Sequence, residues 1–130
     1  MWFRTMTPDA DQLPIIGRSS RALGVRVPGD VNPQADGRIA PGGGGMSVSS
    51  GTLWNLPHHR RPRPLGRGST GPPGDIVYVL SALLTPVLAV RPDPVRPDKH
   101  ALVEPAELMR LRDSESALSA TRPRWERARP

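Results

Sequence analysis

The chain has 130 residues, among them 17 prolines and 13 glycines, no cysteine, and a net charge of +6. That length suits a single domain over residues 1–130 with a modest core, and the lack of cysteine excludes disulfides, iron–sulfur clusters and thiolate zinc sites. Aromatic residues, at 4%, are too few for base-stacking platforms, while the basic balance favours polyanionic partners such as nucleic acid, a phosphate-bearing cofactor or an anionic membrane.

The opening MWFRTM reads as a strand that Thr7-Pro8-Asp9 ends in a turn. If Trp2 faces one side, Arg4 and Met6 share it, so a guanidinium sits on a face that is otherwise apolar. It needs an anion there, or else it snorkels to water from an edge strand. Asp11 to Val27 mixes apolar residues with Gly17 and Ser19-Ser20; either serine suits the cap of a short helical turn through Leu23 that Gly24 closes. Pro28 to Pro41 carries turn chemistry at Pro28-Gly29, Asn32-Pro33 and Asp36-Gly37 and leads into four glycines, Gly42 to Gly45. Glycine has no side chain to bury, so the run reads as bare backbone that a ligand approaches, or as a flexible loop. Met46 to Ser50 then alternates as a strand, with Ser47 and Ser49 on one face and Met46 and Val48 on the other.

Residues 57–74 are rich in proline and arginine. Pro57, Pro62 and Pro64 argue against a helix, so His58, His59, Arg60, Arg61, Arg63 and Arg67 are expected in an extended, solvated loop. Arg60, Arg61 and Arg63 are candidate contacts to phosphate or nucleic acid. The adjacent histidines would point in opposite directions with no carboxylate nearby, so no metal site is expected. Asp75 to Leu80 is the strongest strand pattern, and Leu84 to Val90 follows as a second that suits a hairpin with it. The uncharged run Ile76 to Val90 is too short to span a membrane and is broken by Pro86. A second loop rich in proline and arginine, residues 91–98, precedes the strand His100 to Pro105, with His100, Leu102 and Glu104 on one side and Ala101 and Val103 on the other. Glu104, stiffened by Pro105, is either a catalytic carboxylate or an ordinary surface glutamate. In the tail, Leu108, Leu111 and Ala117-Leu118 have helical spacing, Asp113 or Ser114 suits the cap, and Pro123 ends the helix. Trp125 is expected to dock the segment, with Arg122, Arg124, Arg127 and Arg129 forming a solvated basic end. The fold class expected is α+β, small and loop-rich, with a β-core and few short helices. Met1 to Met6 lacks the basic region and apolar core of a secretory signal, so a cytoplasmic protein is expected.

In their order, WFR, DGRIAP leading to GGMSV, PVLAVRPD, HALVEPAELM and RPRWERAR resemble the type VI secretion effector toxins with an ADP-ribosyltransferase-like fold. The resemblance implies an enzyme that cleaves the nicotinamide–ribose bond of NAD and passes ADP-ribose to a macromolecular target, or hydrolyses NAD outright. It implies Arg4 on the NAD phosphates, Ser47 beside the nicotinamide ribose, and Glu104 supporting the oxocarbenium-like transition state, with Gly44, Gly45 and His100 in the cofactor-binding set. Nucleic acid or protein as acceptor, an immunity partner, and action in the cytoplasm of a target cell after non-classical secretion are further implications. Two other readings stand beside it: a non-catalytic nucleic-acid-binding module built on the basic loop, and a partly disordered interaction protein.

Overall fold

A computed structural model describes residues 1–82 and 86–130. Leu84, where the second strand was expected to begin, lies outside the described residues. In chain order the elements are β1 (Trp2–Met6), β2 (Arg38–Ile39), β3 (Met46–Ser50), β4 (Ile76–Leu80), β5 (Leu88–Pro92), β6 (His100–Pro105), β7 (Met109–Arg110), α1 (Leu111–Ala120) and β8 (Glu126–Arg127). Six of the strands form one sheet in the order β5-β6-β3-β1-β4-β8, and β2 pairs with β7 in a second, two-stranded sheet. Every ladder is antiparallel. The protein is thus α+β, mostly antiparallel sheet with one α-helix among the described residues. No helix among them is long and apolar enough to cross a membrane.

Strand alternation places the core. Met6, Met46, Val48, Tyr78, Leu80, Ala101 and Val103 enter one buried cluster with Leu118 of α1 and Trp125. The other face of β1 and β4 sends Phe3 and Val77 into a smaller cluster with Leu53 and Leu56. Each fully buried side chain of this size stabilises the fold by about 1.5–3 kcal/mol. Trp125 docks the tail as expected, 2% exposed. Its indole Nε1 donates to Thr121 Oγ1 at 2.9 Å, and that hydroxyl donates to the Leu118 carbonyl at 2.6 Å.

Several local expectations are corrected. β4 and β5 do not form a hairpin: β1 and β8 take the two edges of β4, and β5 pairs with β6. The basic loop is folded, not extended, with 3-10 turns at Leu53–Asn55, His58–Arg60 and Arg63–Leu65. Pro57 and Pro62 stand at the caps with φ of −56° and −55°, values that the pyrrolidine ring sets in advance, so proline forbids a long helix here and still starts a short one. Leu53 and Leu56 hold these turns against the sheet. The turn at 19–24, by contrast, forms as a single turn with Ser19 as its cap: Ser19 Oγ accepts the Arg21 amide at 3.1 Å and its carbonyl the Ala22 amide at 3.2 Å, and Leu23 then bonds the Ile15 carbonyl at 2.7 Å. The cap of α1 is Arg110; Asp113 lies in the first turn, where its charge suits the helix dipole, and Ser114 is buried. Arg122 is not simply solvated, since it donates to both Asp11 carboxylate oxygens at 2.7 Å and to the Pro14 carbonyl at 2.8 Å.

Candidate active site

The sheet opens between its two central strands. β1 pairs with β4 along all of Trp2 to Met6, and β3 pairs with β6 from Met46 to Ser49, but β1 and β3 are held together only at Trp2–Ser50 and Phe3–Ser49. Beyond that point Ser47 has no register partner on β1, and Arg4 takes its carbonyl. Its NH1 donates to the Ser47 carbonyl at 2.8 Å, while Nε and NH2 donate to the Ala22 carbonyl at 3.1 and 2.9 Å. Arg4 is 6% exposed. It therefore neither snorkels to water nor meets a carboxylate; neutral backbone carbonyls satisfy it. Burial, and secondarily the charge of Arg60, push its pKa down to about 10. It remains a cation at neutral pH, buried at a cost of about 3 kcal/mol, and an anion placed beside it would offset that cost.

A cleft of about 210 Å³ lies along this split, lined among others by Arg4, Arg26, Ser47, His59, Arg60 and His100. Asp30 is the one carboxylate in the lining, and it is already taken by Arg26, whose Nε and NH2 donate to it at 3.2 and 2.8 Å and whose amide donates at 2.8 Å. Burial raises the Asp30 pKa, but those hydrogen bonds outweigh it and leave the group below the usual carboxylate range. Among the described residues the Arg60 guanidinium donates to the Ser20 carbonyl and hydroxyl, at 3.3 and 3.2 Å, and to no carboxylate. The cleft thus offers uncompensated positive charge, which recruits anionic ligands.

Ser47 is exposed on the same sheet face as His100 and Glu104. It stands opposite Leu102, so His100 and Glu104 flank it as the two diagonal neighbours, a separation of roughly 7–8 Å between backbones. His100 crosses its diagonal: Nε2 lies 3.3 Å from Ser47 Oγ. Its other nitrogen, Nδ1, lies 3.0 Å from Asp93 Oδ2. The Val95 amide, followed by His100, holds Asp93 below the usual carboxylate range, so the group is an acceptor.

Glu104 is brought to the right strand and face, but it is 4% exposed and does not line the cleft. Its Oε1 accepts from Arg91 Nε at 2.8 Å and its Oε2 from the Gly42 amide at 2.9 Å. It is therefore not an ordinary surface glutamate. Gly44 and Gly45 are absent from the cleft lining, and both are packed closely against backbone. A Cβ on Gly44 would overlap the Asp30 carbonyl oxygen, and one on Gly45 the Val103 carbonyl oxygen. The Gly45 amide bonds the Asp30 carbonyl at 3.1 Å. Lack of a side chain here serves close packing of backbone on backbone.

Of the three loop arginines, only Arg60 lines the cleft. Arg61 is 5% exposed, lies over the Trp54 ring at 5.3 Å, and donates to the Arg67 carbonyl at 3.0 Å, so it is a buried strut and not a phosphate contact. Arg63 is exposed and outside the cleft. Asp93, Arg91, Arg26 and Asp30 were missed from sequence. For Asp93 a signal existed: if Arg91 to Lys99 closes a hairpin, residues at its two ends meet, and the Asp93 amide indeed bonds the His100 carbonyl at 2.9 Å. No family model, curated protein or solved structure matches the chain.

Proposed function

We propose that the cleft binds NAD and that the protein cleaves its nicotinamide–ribose bond, passing ADP-ribose to a macromolecular acceptor or to water, on an ADP-ribosyltransferase-like fold. The observation that carries this reading is the placement of Arg4 and Ser47 in one cleft, with Glu104 next to Ser47 on the adjoining strand outside the lining, and with Arg4 and Arg60 in that cleft bonded to neutral oxygens and not to a carboxylate among the described residues. A dinucleotide pyrophosphate suits Arg4 and Arg60, and guanidinium groups are well matched to phosphate oxygens. Cleavage builds positive charge on the ribose, and a fixed carboxylate stabilises that charge electrostatically. Glu104 is fixed by Arg91 and Gly42. Arg91 is 51% exposed, so its side chain has room to release one carboxylate oxygen toward a bound ribose. The resemblance of the sequence to type VI secretion effector toxins points the same way.

The test is nicotinamide release from labelled NAD, with and without cell extract. Release is expected, with Arg60→Ala weakening NAD binding roughly 10- to 100-fold, the worth of one charge-assisted hydrogen bond. Glu104→Gln is expected to lower kcat with KM nearly unchanged. Absence of release under both conditions, or full turnover in Glu104→Gln, overturns the proposal.

A further inference from the structure

We infer that Asp93, His100 and Ser47 form a nucleophilic relay, giving the protein an acyl-ester hydrolase activity that is independent of NAD and directed at small esters carrying a negative charge. The relay is read from atoms. Asp93 Oδ2 lies 3.0 Å from His100 Nδ1, and His100 Nε2 lies 3.3 Å from Ser47 Oγ. An ionised carboxylate has no proton to give, so Nδ1 is the nitrogen that carries the hydrogen. In the neutral ring that leaves Nε2 bare, facing the serine hydroxyl. A hydroxyl, a base within reach of it and a carboxylate orienting the base are the three parts that activate a serine.

The fold holds all three in place. Asp93 and His100 sit at the two ends of the loop joining β5 to β6, tied by the Asp93 amide on the His100 carbonyl at 2.9 Å. Asp93 Oδ1 accepts the Val95 amide at 2.8 Å, which leaves Oδ2 for the imidazole. Ser47 comes from β3, where the ladder to β6 fixes its position relative to His100. Ser47 is exposed, and the His100 side chain is 32% exposed, so a substrate can reach the hydroxyl. Arg4 donates to the Ser47 backbone carbonyl at 2.8 Å and lines the same cleft as Ser47, so a cation borders the space in which negative charge develops in acyl transfer. Arg60 in the same cleft selects a substrate with an anionic group.

In the first step Ser47 Oγ bonds to the ester carbonyl carbon and its proton passes to His100 Nε2. The tetrahedral species collapses, the bond to the leaving oxygen breaks, and that oxygen takes the proton from Nε2. A water then adds to the acyl-serine carbonyl and gives a proton to Nε2. The carbon–Oγ bond breaks, the proton returns to Ser47, and a carboxylic acid leaves. Asp93 acts through His100 and is a positioning residue.

The experiment uses the full chain without NAD, with 4-nitrophenyl acetate as neutral probe and mono-4-nitrophenyl succinate as anionic probe. The expected result is faster hydrolysis of the succinate ester, a mass increase of one succinyl group on Ser47, and loss of at least about 100-fold in rate in both Ser47→Ala and His100→Ala. Asp93→Asn keeps an acceptor for the Val95 amide, so the loop stays closed; it is expected to lower kcat with KM unchanged, and Asp93→Glu to recover part of the loss. Equal rates in the parent chain and Ser47→Ala, or acyl label on His58, His59 or Lys99 in place of Ser47, overturn the inference. NAD cleavage is read separately, so failure of either activity leaves the other measured in its own right.

Discussion

Gly44 packs as bare backbone against Asp30 and Val31, and three contributions set the cost of replacing it with alanine. Gly44 has φ of +106°, a conformation that costs an L-residue about 1–2 kcal/mol. A Cβ there would also overlap the Asp30 carbonyl oxygen and sit 3.0 Å from the Asp30 carbonyl carbon and 3.2 Å from Val31 Cα. These are backbone atoms of a turn that the Arg26–Asp30 pair fixes, so none of them yields as a flexible side chain would. Overpacking of this kind costs about 1–3 kcal/mol, and displacing the turn strains the Gly45 amide bond to the Asp30 carbonyl, about 1 kcal/mol more. Gly44→Ala is therefore expected to destabilise by about 3–6 kcal/mol. Gly37 is the matched control: its φ is +80°, and a Cβ there meets nothing within 4 Å, so Gly37→Ala is expected to cost only the conformational part, about 1–2 kcal/mol. Urea unfolding followed by tryptophan fluorescence measures both. Equal losses in the two variants would refute the argument that backbone contact, and not φ, is what the tetraglycine run supplies at Gly44.

Two further outcomes follow from the packing and electrostatics. Asp30 is held below its ordinary pKa in the folded state, so it contributes stability above the unfolded value of roughly 4, and that contribution is lost as pH falls through the lower folded value. Urea midpoints are expected to drop as the pH falls below that unfolded value, and less steeply in Asp30→Asn; identical profiles would show that the Arg26 contact does not stabilise the turn. Thr121→Val removes the acceptor of the Trp125 indole and leaves its N–H buried without a partner, at a cost of about 1–3 kcal/mol, whereas Thr121→Ser keeps the hydroxyl and is expected to stay near the parent stability in the same unfolding assay.

Strand existence was legible because burial of one face leaves a period of two in the residues themselves. β3 and β6 fall where MSVSS and HALVEP alternate, β1 falls on the β-prone MWFRTM, and the alternation put His100 and Glu104 on one side of β6, the face that Ser47 shares. Pairing was not legible in this way. The hairpin expected after β4 fails because β4 finds partners in β1 and β8, which come from opposite ends of the chain. The basic loop likewise shows its prolines openly, yet it is Leu53 and Leu56 reaching the sheet that turns it into three short helical turns and separates Arg60 from Arg61 and Arg63.

Residue types and their local periods decided which side chains are chemically able to act: a guanidinium, a hydroxyl, an imidazole and two carboxylates are properties of single positions. Which of them meet was decided only in three dimensions, because hydrogen bonds between strands join residues remote in the chain. Asp93, passed over as part of a proline-punctuated loop, reaches His100, and Glu104 turns from the cleft to Arg91 and Gly42. Arg4 finds its partners in the Ala22 and Ser47 carbonyls because β1 and β3 part after two pairs, and that parting is a property of the whole sheet.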